Sequence, residues 1–394
     1  MTPHLPTTAA PASDHANLPQ VLYVSDSAES GYAVASRRLM LALEKIGCPI
    51  RWRAMQWYPH DPLLPDETAP YLPLQRLRTV DIEPDVVIAH APPEFVPALL
   101  HLRTLAAPLV LHTVWEHEVL PPHWPALVNQ CDGVIVPTRW NATAFRNCGV
   151  TTPIIVIPHV HNDDNDPADT SLIDPLRYPG QLLVHSIAAW TRRKTPFKSV
   201  EAYARAFGPA DETLMILRTS EFVDAELPIA EGPDRRRYQT SWVVAQTLHR
   251  NAPAPRLHLI TDRISFAEIA GMHASSDVWI SLPRSEGWDL GCFDAAVAGC
   301  PVITTGFGGP LEYLDPKLCH LIPGKTVDCD WLPGATWLEP DVDAAVEALR
   351  AVRNDPAAAR QAAHKQADRL RARYAPELVA RDFVTGLRSA GLIR

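Results

Sequence analysis

Short apolar runs recur along this chain with helical patterns between them, and that alternation restricts the fold more than any other feature. "QVLYVSD" (20–26), "DVVIAHAP", "APLVLHTVW", "DGVIVPT" and "TPIIVIPHV" have apolar residues on both faces, as strands of a helix-covered parallel sheet must. "SAESGYAVASRRLMLALEKIG" (27–47) reads as a Gly-containing loop feeding an amphipathic helix that stops at Gly47, and "TRWNATAFRNCGV" (138–150) as a shorter helix. A polar, Pro-bearing segment follows, and the series restarts. It runs through "QLLVHSIAAW", the helix "TPFKSVEAYARAF", "ETLMILRTS", "RLHLITD", the helix "SFAEIAGMHASSD", "VWISLP" and "CPVITTG". From Pro340 onward the pattern is almost wholly helical, broken at Pro356 and Pro376. The expectation is an α/β protein of two facing, doubly wound parallel-sheet domains.

The predicted boundaries are a disordered lead-in over 1–18, a first domain over 19–165, a linker over 166–180, a second domain over 181–375 and a final helix over 376–394. A chain of 394 residues fits two cores better than one. No apolar run approaches the roughly 20 residues needed to span a bilayer, and the first residues lack the basic start and apolar centre of a signal peptide. The seven cysteines form no C-x-x-C pair, which fits reduced thiols in the cytoplasm. A formal charge of −9 argues against nucleic acid as a partner. Neither half carries G-x-G-x-x-G or a G-x-x-x-x-G-K-S/T loop, which disfavours a dinucleotide oxidoreductase or a P-loop enzyme.

The chemistry concentrates in "SLPRSEGWDLGCFDAAVAGCPVITTGFGGPLEYL" (281–314). A strand ends at a sheet edge, a turn holds Glu286, Gly287, Trp288 and Asp289, and a small-residue helix follows with Leu290, Gly291 and then Asp294. Amides and the dipole at such a helix start favour a phosphate. Glycines at 287 and 291 are read as letting the backbone approach a ligand. Carboxylates at 286 and 294 suit vicinal hydroxyls on either side. A diphosphate between two polyols describes a nucleotide-diphospho-sugar. Two acidic or polar decoys carry less. "DND" (164–166) sits in the polar, Pro-bearing stretch 161–180, not after a buried strand, and Asn141 in "NAT" is a glycosylation acceptor only in a secreted chain. The triplet Arg235-Arg236-Arg237 reads as a solvated loop.

"EGWDLGCFDAAVAGCPVITTGFGGPLEYL" resembles the donor site of the retaining glycosyltransferases of family 4, which have the GT-B fold: two Rossmann-like domains with a C-terminal helix crossing back to the first. "SGYAVASRRLMLALEKIG", "DGVIVPTRWNATAFRNCGVTTPIIVIPHV" and "FAEIAGMHASSDVWISLPRSEG" extend the resemblance over most of the chain. It implies Glu286 on the transferred sugar, Asp294 on the nucleotide ribose, and the amides around Asp289, Leu290 and Gly291 on sugar and diphosphate. "SIAAWTRRKTPFKS" is similar to a segment that puts an arginine and a lysine on the diphosphate. Lys194 matches the lysine, the arginine's place falls near Ala188 or Ala189, and Arg192 or Arg193 would substitute. His112 stands where many members have a histidine near the sugar, and Trp115 and Glu116 are similar to an acceptor-side pair. Gly31 would let the first loop approach the donor, and Arg263 and Ile264 lie where the base usually stacks.

The implied activity is retaining, metal-independent transfer from a UDP- or GDP-sugar to a glycan, lipid-linked or other hydroxyl acceptor, with no cofactor beyond the nucleotide-sugar and no metal. Cell-surface polysaccharide or glycoconjugate synthesis is the expected setting, in the cytoplasm and at most weakly and peripherally at the inner face of the cytoplasmic membrane. Asp in place of Glu at 294 and the displaced arginine leave room for a non-catalytic sugar-nucleotide or glycan-binding protein on the same scaffold, and a sugar-nucleotide epimerase of the same fold is a separate alternative.

Overall fold

A computed structural model of the chain describes residues 18–27, 30–55, 72–105, 107–161, 168–223 and 239–394. The expected lead-in up to residue 17, the Asp-Asn-Asp decoy and the Arg235–Arg237 triplet lie outside the described residues, whereas Leu18 packs against the first core. In the first domain, β1 (Val21–Asp26), β2 (Ile50–Met55), β3 (Val86–His90), β4 (Leu109–His112), β5 (Gly133–Val136) and β6 (Ile154–Val156) form one parallel sheet in the order β2-β1-β3-β4-β5-β6. Helices α1 (Gly31–Lys45), α2 (Leu72–Gln75), α3 (Val96–Leu99), α4 (Trp124–Val128) and α5 (Arg139–Asn147) connect these strands. Helix α1 starts where Ser30 accepts the Ala33 amide, and its buried face (Ala33, Leu39, Met40, Leu43) covers the sheet.

The second sheet contains β7 (Leu182–Ile187), β8 (Thr213–Arg218), β9 (Arg256–Ile260), β10 (Val278–Ser281), β11 (Val302–Thr305) and β12 (His320–Ile322), in the order β12-β11-β10-β7-β8-β9. This is the doubly wound order in which β7 and β10 flank the topological switch point, where ligands bind beyond the strand ends. Its helices are α6 (Pro196–Ala206), α7 (Thr240–Arg250), α8 (Phe266–Ser275), α9 (Leu290–Val297), α10 (Val342–Asn354) and α11 (Pro356–Arg373). Two prolines divide the C-terminal helices as expected, and α12 (Pro376–Ser389) crosses back to the first domain. There Phe383, Val384 and Leu387 share a core with Val21 and Leu43, and Gly386 lies so close to β6 that a Cβ would stand 2.6 Å from Ile155 Cγ2.

Two features were not read from the sequence. The segment after the first domain is docked rather than loose over its described part: Ile173 is buried, and the Asp169 amide bonds the Ala267 carbonyl on α8 at 2.9 Å. In addition, β13 (Gly324–Asp328) and β14 (Thr336–Pro340) form an antiparallel hairpin that leaves the second domain and enters the first. Cys329, Leu332, Ala335 and Trp337 join a core otherwise made by Leu22, Val87, Trp115, Trp124 and Phe145. Among the described residues, no helix is long and apolar enough to cross a membrane.

Candidate functional site

The loops after β7 and β10 meet at the switch point, and charge collects there. Glu286 is buried, and both carboxylate oxygens are engaged: Lys194 Nζ donates to Oε1 at 2.8 Å, and Arg193 Nη1 lies 2.7 Å from Oε2. Arg193 also donates to the Ser285 carbonyl at 2.8 Å and reaches Glu116 of the first domain at 3.3 Å. Burial pushes the Glu286 pKa up, but the adjacent Arg193 and Lys194 outweigh it and hold the carboxyl below its ordinary value. Burial likewise opposes the Arg193 charge, and Glu116 and Glu286 more than offset it. Two cations and two carboxylates thus neutralise one another across the domain junction.

Asp289 adds a third acid. Its backbone is left-handed (φ 68°), its Oδ1 accepts the Cys292 amide at 3.3 Å and caps α9, and its Oδ2 is buried without a hydrogen-bond partner. Burial, and then the Glu286 charge, push its pKa from 3.8 to about 6. The other left-handed non-glycine residue among those described is Thr195 (φ 37°), beside Lys194, tied through Oγ1 to the Leu282 carbonyl at 2.6 Å. Strain of this kind persists only where the surroundings over-determine it, and here both instances border one cluster.

The glycines of this turn are also tightly packed, a role the sequence reading did not give them. A Cβ on Gly287 would stand 2.5 Å from the Trp115 carbonyl oxygen of the first domain and strike Val114, and one on Gly291 would stand 2.8 Å from the Trp279 ring. Gly309 packs its backbone on the same turn, with its amide bonding the Glu286 carbonyl at 2.7 Å. A Cβ on Gly31 would stand 3.8 Å from Leu290 Cδ1, so the start of α1 lies beside the start of α9.

Asp294 does not present free oxygens. Arg38 of α1 forms a bidentate pair with it, both contacts at 2.8 Å, so the carboxylate expected on a ribose bolts α9 to α1. Arg192 turns away to Asp330 at 2.7 Å and stays outside the cluster. Trp288 is buried among His159, Phe293, Tyr313 and Tyr374, so its indole belongs to the core. Trp115 is also core: it packs on Trp124 at 4.4 Å and donates from Nε1 to the Val119 carbonyl at 2.8 Å. Arg263 is exposed and Ile264 half-buried beyond the end of β9, two strands from β7, and Ile264 packs against the core cluster that contains Ile173, Ile216 and Ile260. Asn141 is fully buried and donates to the Trp115 carbonyl at 2.6 Å, which removes it as a glycosylation acceptor.

Across the junction, His112 ends β4 and is buried. His90 ends β3 in register with it, and the rings stack at 3.9 Å and 9°. Burial, then the neighbouring His159, hold His112 well below the usual imidazole pKa, and burial holds His90 there too. His159 lies 6.4 Å from His112 and 5.3 Å from Trp288, ring to ring, which joins this group to the 286–289 turn. Among the described residues, no group of three or more His, Cys, Asp and Glu is arranged to hold a metal ion. The sequence reading missed Arg38, His90 and His159. An arginine on the apolar face of α1 and a second strand-end histidine were the available signals.

A family profile described as Family 4 Glycosyltransferase in conflict systems matches residues 139–383, more than half of the chain. The chain belongs to this family. Its fold is GT-B, shared with solved structures that include a sucrose-phosphate synthase from Thermosynechococcus elongatus (TM-score 0.66, 16% identity, 94% of this chain and 98% of that one). An α,α-trehalose-phosphate synthase from Burkholderia vietnamiensis (TM-score 0.62, 16% identity, 95% and 100%) is similar over the same extent. TarM from S. aureus, solved as a point mutant, matches less of its length (TM-score 0.53, 13% identity, 76% of this chain and 54% of that one). No curated protein matches. In this family 4 glycosyltransferase, the Glu286 turn lies inside the matched span, whereas His112, Glu116 and Arg38 precede it.

Proposed function

We propose that this glycosyltransferase moves a sugar from a nucleoside-diphosphate donor to a hydroxyl acceptor with retention of configuration, with Arg193 and Lys194 supplying the positive charge at the leaving diphosphate. The observation that carries the proposal is the pairing of Arg193 and Lys194 with the buried Glu286 at the switch point between the domains. In that reading, an incoming diphosphate replaces Glu286 on the two cations, since charge-assisted contacts to phosphate are stronger than neutral ones. The released Glu286 carboxylate then accepts hydroxyls of the sugar. Preorganised charge aimed at a departing phosphate lowers the barrier to bond cleavage, and retention follows from the family resemblance. Arg193, already at Glu286, takes the part of the arginine missing near Ala188.

Trehalose-phosphate synthase is described as UDP-forming, and TarM and a pneumococcal O-GlcNAc transferase are described in complex with UDP, so UDP-sugars are the first donors to try. The family description, "in conflict systems", favours an acceptor on an opposing macromolecule over a surface polysaccharide of the same cell. The test is calorimetric binding and thermal shift with UDP, GDP, ADP and their sugars, followed by product analysis. A ligand at 100 times its Kd adds about 2.7 kcal/mol to stability. A panel without a single binder overturns the donor reading. Binding with neither transfer nor donor hydrolysis moves the chain to the glycan-binding alternative, for which the mutual neutralisation of Arg193, Lys194 and Glu286 is the supporting feature.

A further inference from the structure

Tyr23 is fully buried in β1, and its hydroxyl touches both strand-end histidines: His90 Nδ1 at 2.8 Å and His112 Nδ1 at 3.3 Å. Both rings are neutral, so each carries one N–H, and the phenol has a single proton. That proton can go to only one Nδ1. O–H donors make the shorter bonds, near 2.7–2.8 Å, and N–H donors the longer ones. The geometry therefore has Tyr23 donating to His90 Nδ1 and accepting from His112 Nδ1–H. The His112 proton is then on Nδ1, and Nε2 has a bare lone pair. That Nε2 is buried with no partner in the structure.

A buried lone pair without a donor is costly and asks for an O–H or N–H group. It repels phosphate oxygens, which are acceptors only. We propose that the Tyr23 hydroxyl, braced by the stacked His90, is a positioning group that locks His112 in the Nδ1–H form, so that Nε2 accepts a hydrogen bond from a hydroxyl of the transferred sugar. The sugar half of this inference rests on the donor reading above, whereas the tautomer does not. Neutrality belongs to the same design, since a protonated ring would be a donor at both nitrogens and would lose discrimination between hydroxyl and phosphate. Burial, and then the neighbouring His159, oppose such protonation.

The first measurement needs no variant. Long-range 1H–15N spectra of the protein labelled at histidine, with the His112 signals identified by their loss in His112→Gln, report which ring nitrogen bears the proton. Nδ1–H is expected at neutral pH, and an Nε2–H form or an imidazolium overturns the proposal. Tyr23→Phe removes the acceptor for Nδ1–H, and the spectrum is expected to shift toward Nε2–H. An unchanged tautomer in a folded Tyr23→Phe protein also overturns it. Calorimetry then compares UDP and GDP with UDP-glucose, UDP-N-acetylglucosamine and GDP-mannose. Tyr23→Phe is expected to weaken the bound nucleotide-sugar about tenfold, the scale of one hydrogen bond to a buried group, while affinity for the bare nucleotide holds. Equal losses for both overturn the sugar assignment alone. If nothing in the panel binds although Nδ1–H is seen, the donor reading fails, and the sugar assignment with it.

Discussion

Asp289→Asn isolates the price of keeping a carboxyl at the switch point. Asn tolerates the left-handed backbone at φ 68° and can still offer its oxygen to the Cys292 amide, so the change acts mainly on the charge. The rise from 3.8 to about 6 in the folded protein corresponds to about 3 kcal/mol of ionisation penalty, at roughly 1.36 kcal/mol per pH unit. A newly buried amide returns about 1 kcal/mol of this, which leaves Asp289→Asn about 2 kcal/mol more stable than the parent at pH 7.5. The sign follows from proton counts. Between the unfolded value near 4 and the folded value near 6, the folded chain holds a proton that the unfolded chain has lost, so the parent gains stability as pH falls through 6 toward 4. Asn has no such proton, and its advantage shrinks over that window and is gone near pH 4. Urea denaturation of both proteins at pH 7.5, 6 and 4 measures it. An advantage that is absent at pH 7.5, or equally large at pH 4, would refute the assignment of a strained and desolvated carboxyl at this position.

Three further outcomes follow from the same geometry. Glu286→Ala removes the buried carboxylate shared by Arg193 and Lys194 and is expected to cost about 3 kcal/mol of stability; Glu286→Gln is expected to abolish transfer yet tighten UDP or GDP binding in calorimetry, and weaker nucleotide binding would contradict the exchange of partners. In a double-mutant cycle of Arg38→Ala and Asp294→Ala, thermal denaturation should give a coupling of about 2 kcal/mol, because the pair is bidentate and largely shielded; a coupling below about 0.5 kcal/mol would make it a surface pair. Gly287→Ala drives a methyl into Val114 and the Trp115 carbonyl and should destabilise the protein by about 2 kcal/mol or more, whereas an unchanged denaturation midpoint would mean that the two domains are not in contact there.

Much of the architecture was legible because parallel strands announce themselves. Val86–His90, Leu109–His112 and Val278–Ser281 are apolar runs covered on both faces, and Pro356 and Pro376 mark helix starts without ambiguity. The hairpin Gly324–Pro340 was not legible, because its strands are short, part polar, and stabilised by a core made more than 100 residues earlier. The candidate site divides in the same way. Glu286, Lys194 and Arg193 could be singled out because each sits in a loop directly after a strand. Trp115, Trp288 and Asp294 could be quoted but not placed, since the direction of a side chain depends on what the other domain offers. Arg38, 256 residues away, is the partner that redirects Asp294. Tyr23 was hidden for the opposite reason: a tyrosine inside an apolar strand looks like any core aromatic until the histidines at the ends of β3 and β4 are beside it.

The hairpin has a bearing on turnover. Trp337 is buried in the first domain's core, its Nε1 donating to His117 Nε2 at 3.3 Å, while the Thr336 amide and hydroxyl both bond Glu118 at 2.7 Å. Swinging the halves apart would pull that indole out of its socket, at about 3–5 kcal/mol on the scale of removing a large core aromatic. Wide opening is therefore a local melting event, rarer by a factor of roughly 10² to 5 × 10³ than the shut form. Substrates that cannot slip in along the junction have to wait for it, and this strap would then set the pace of each cycle.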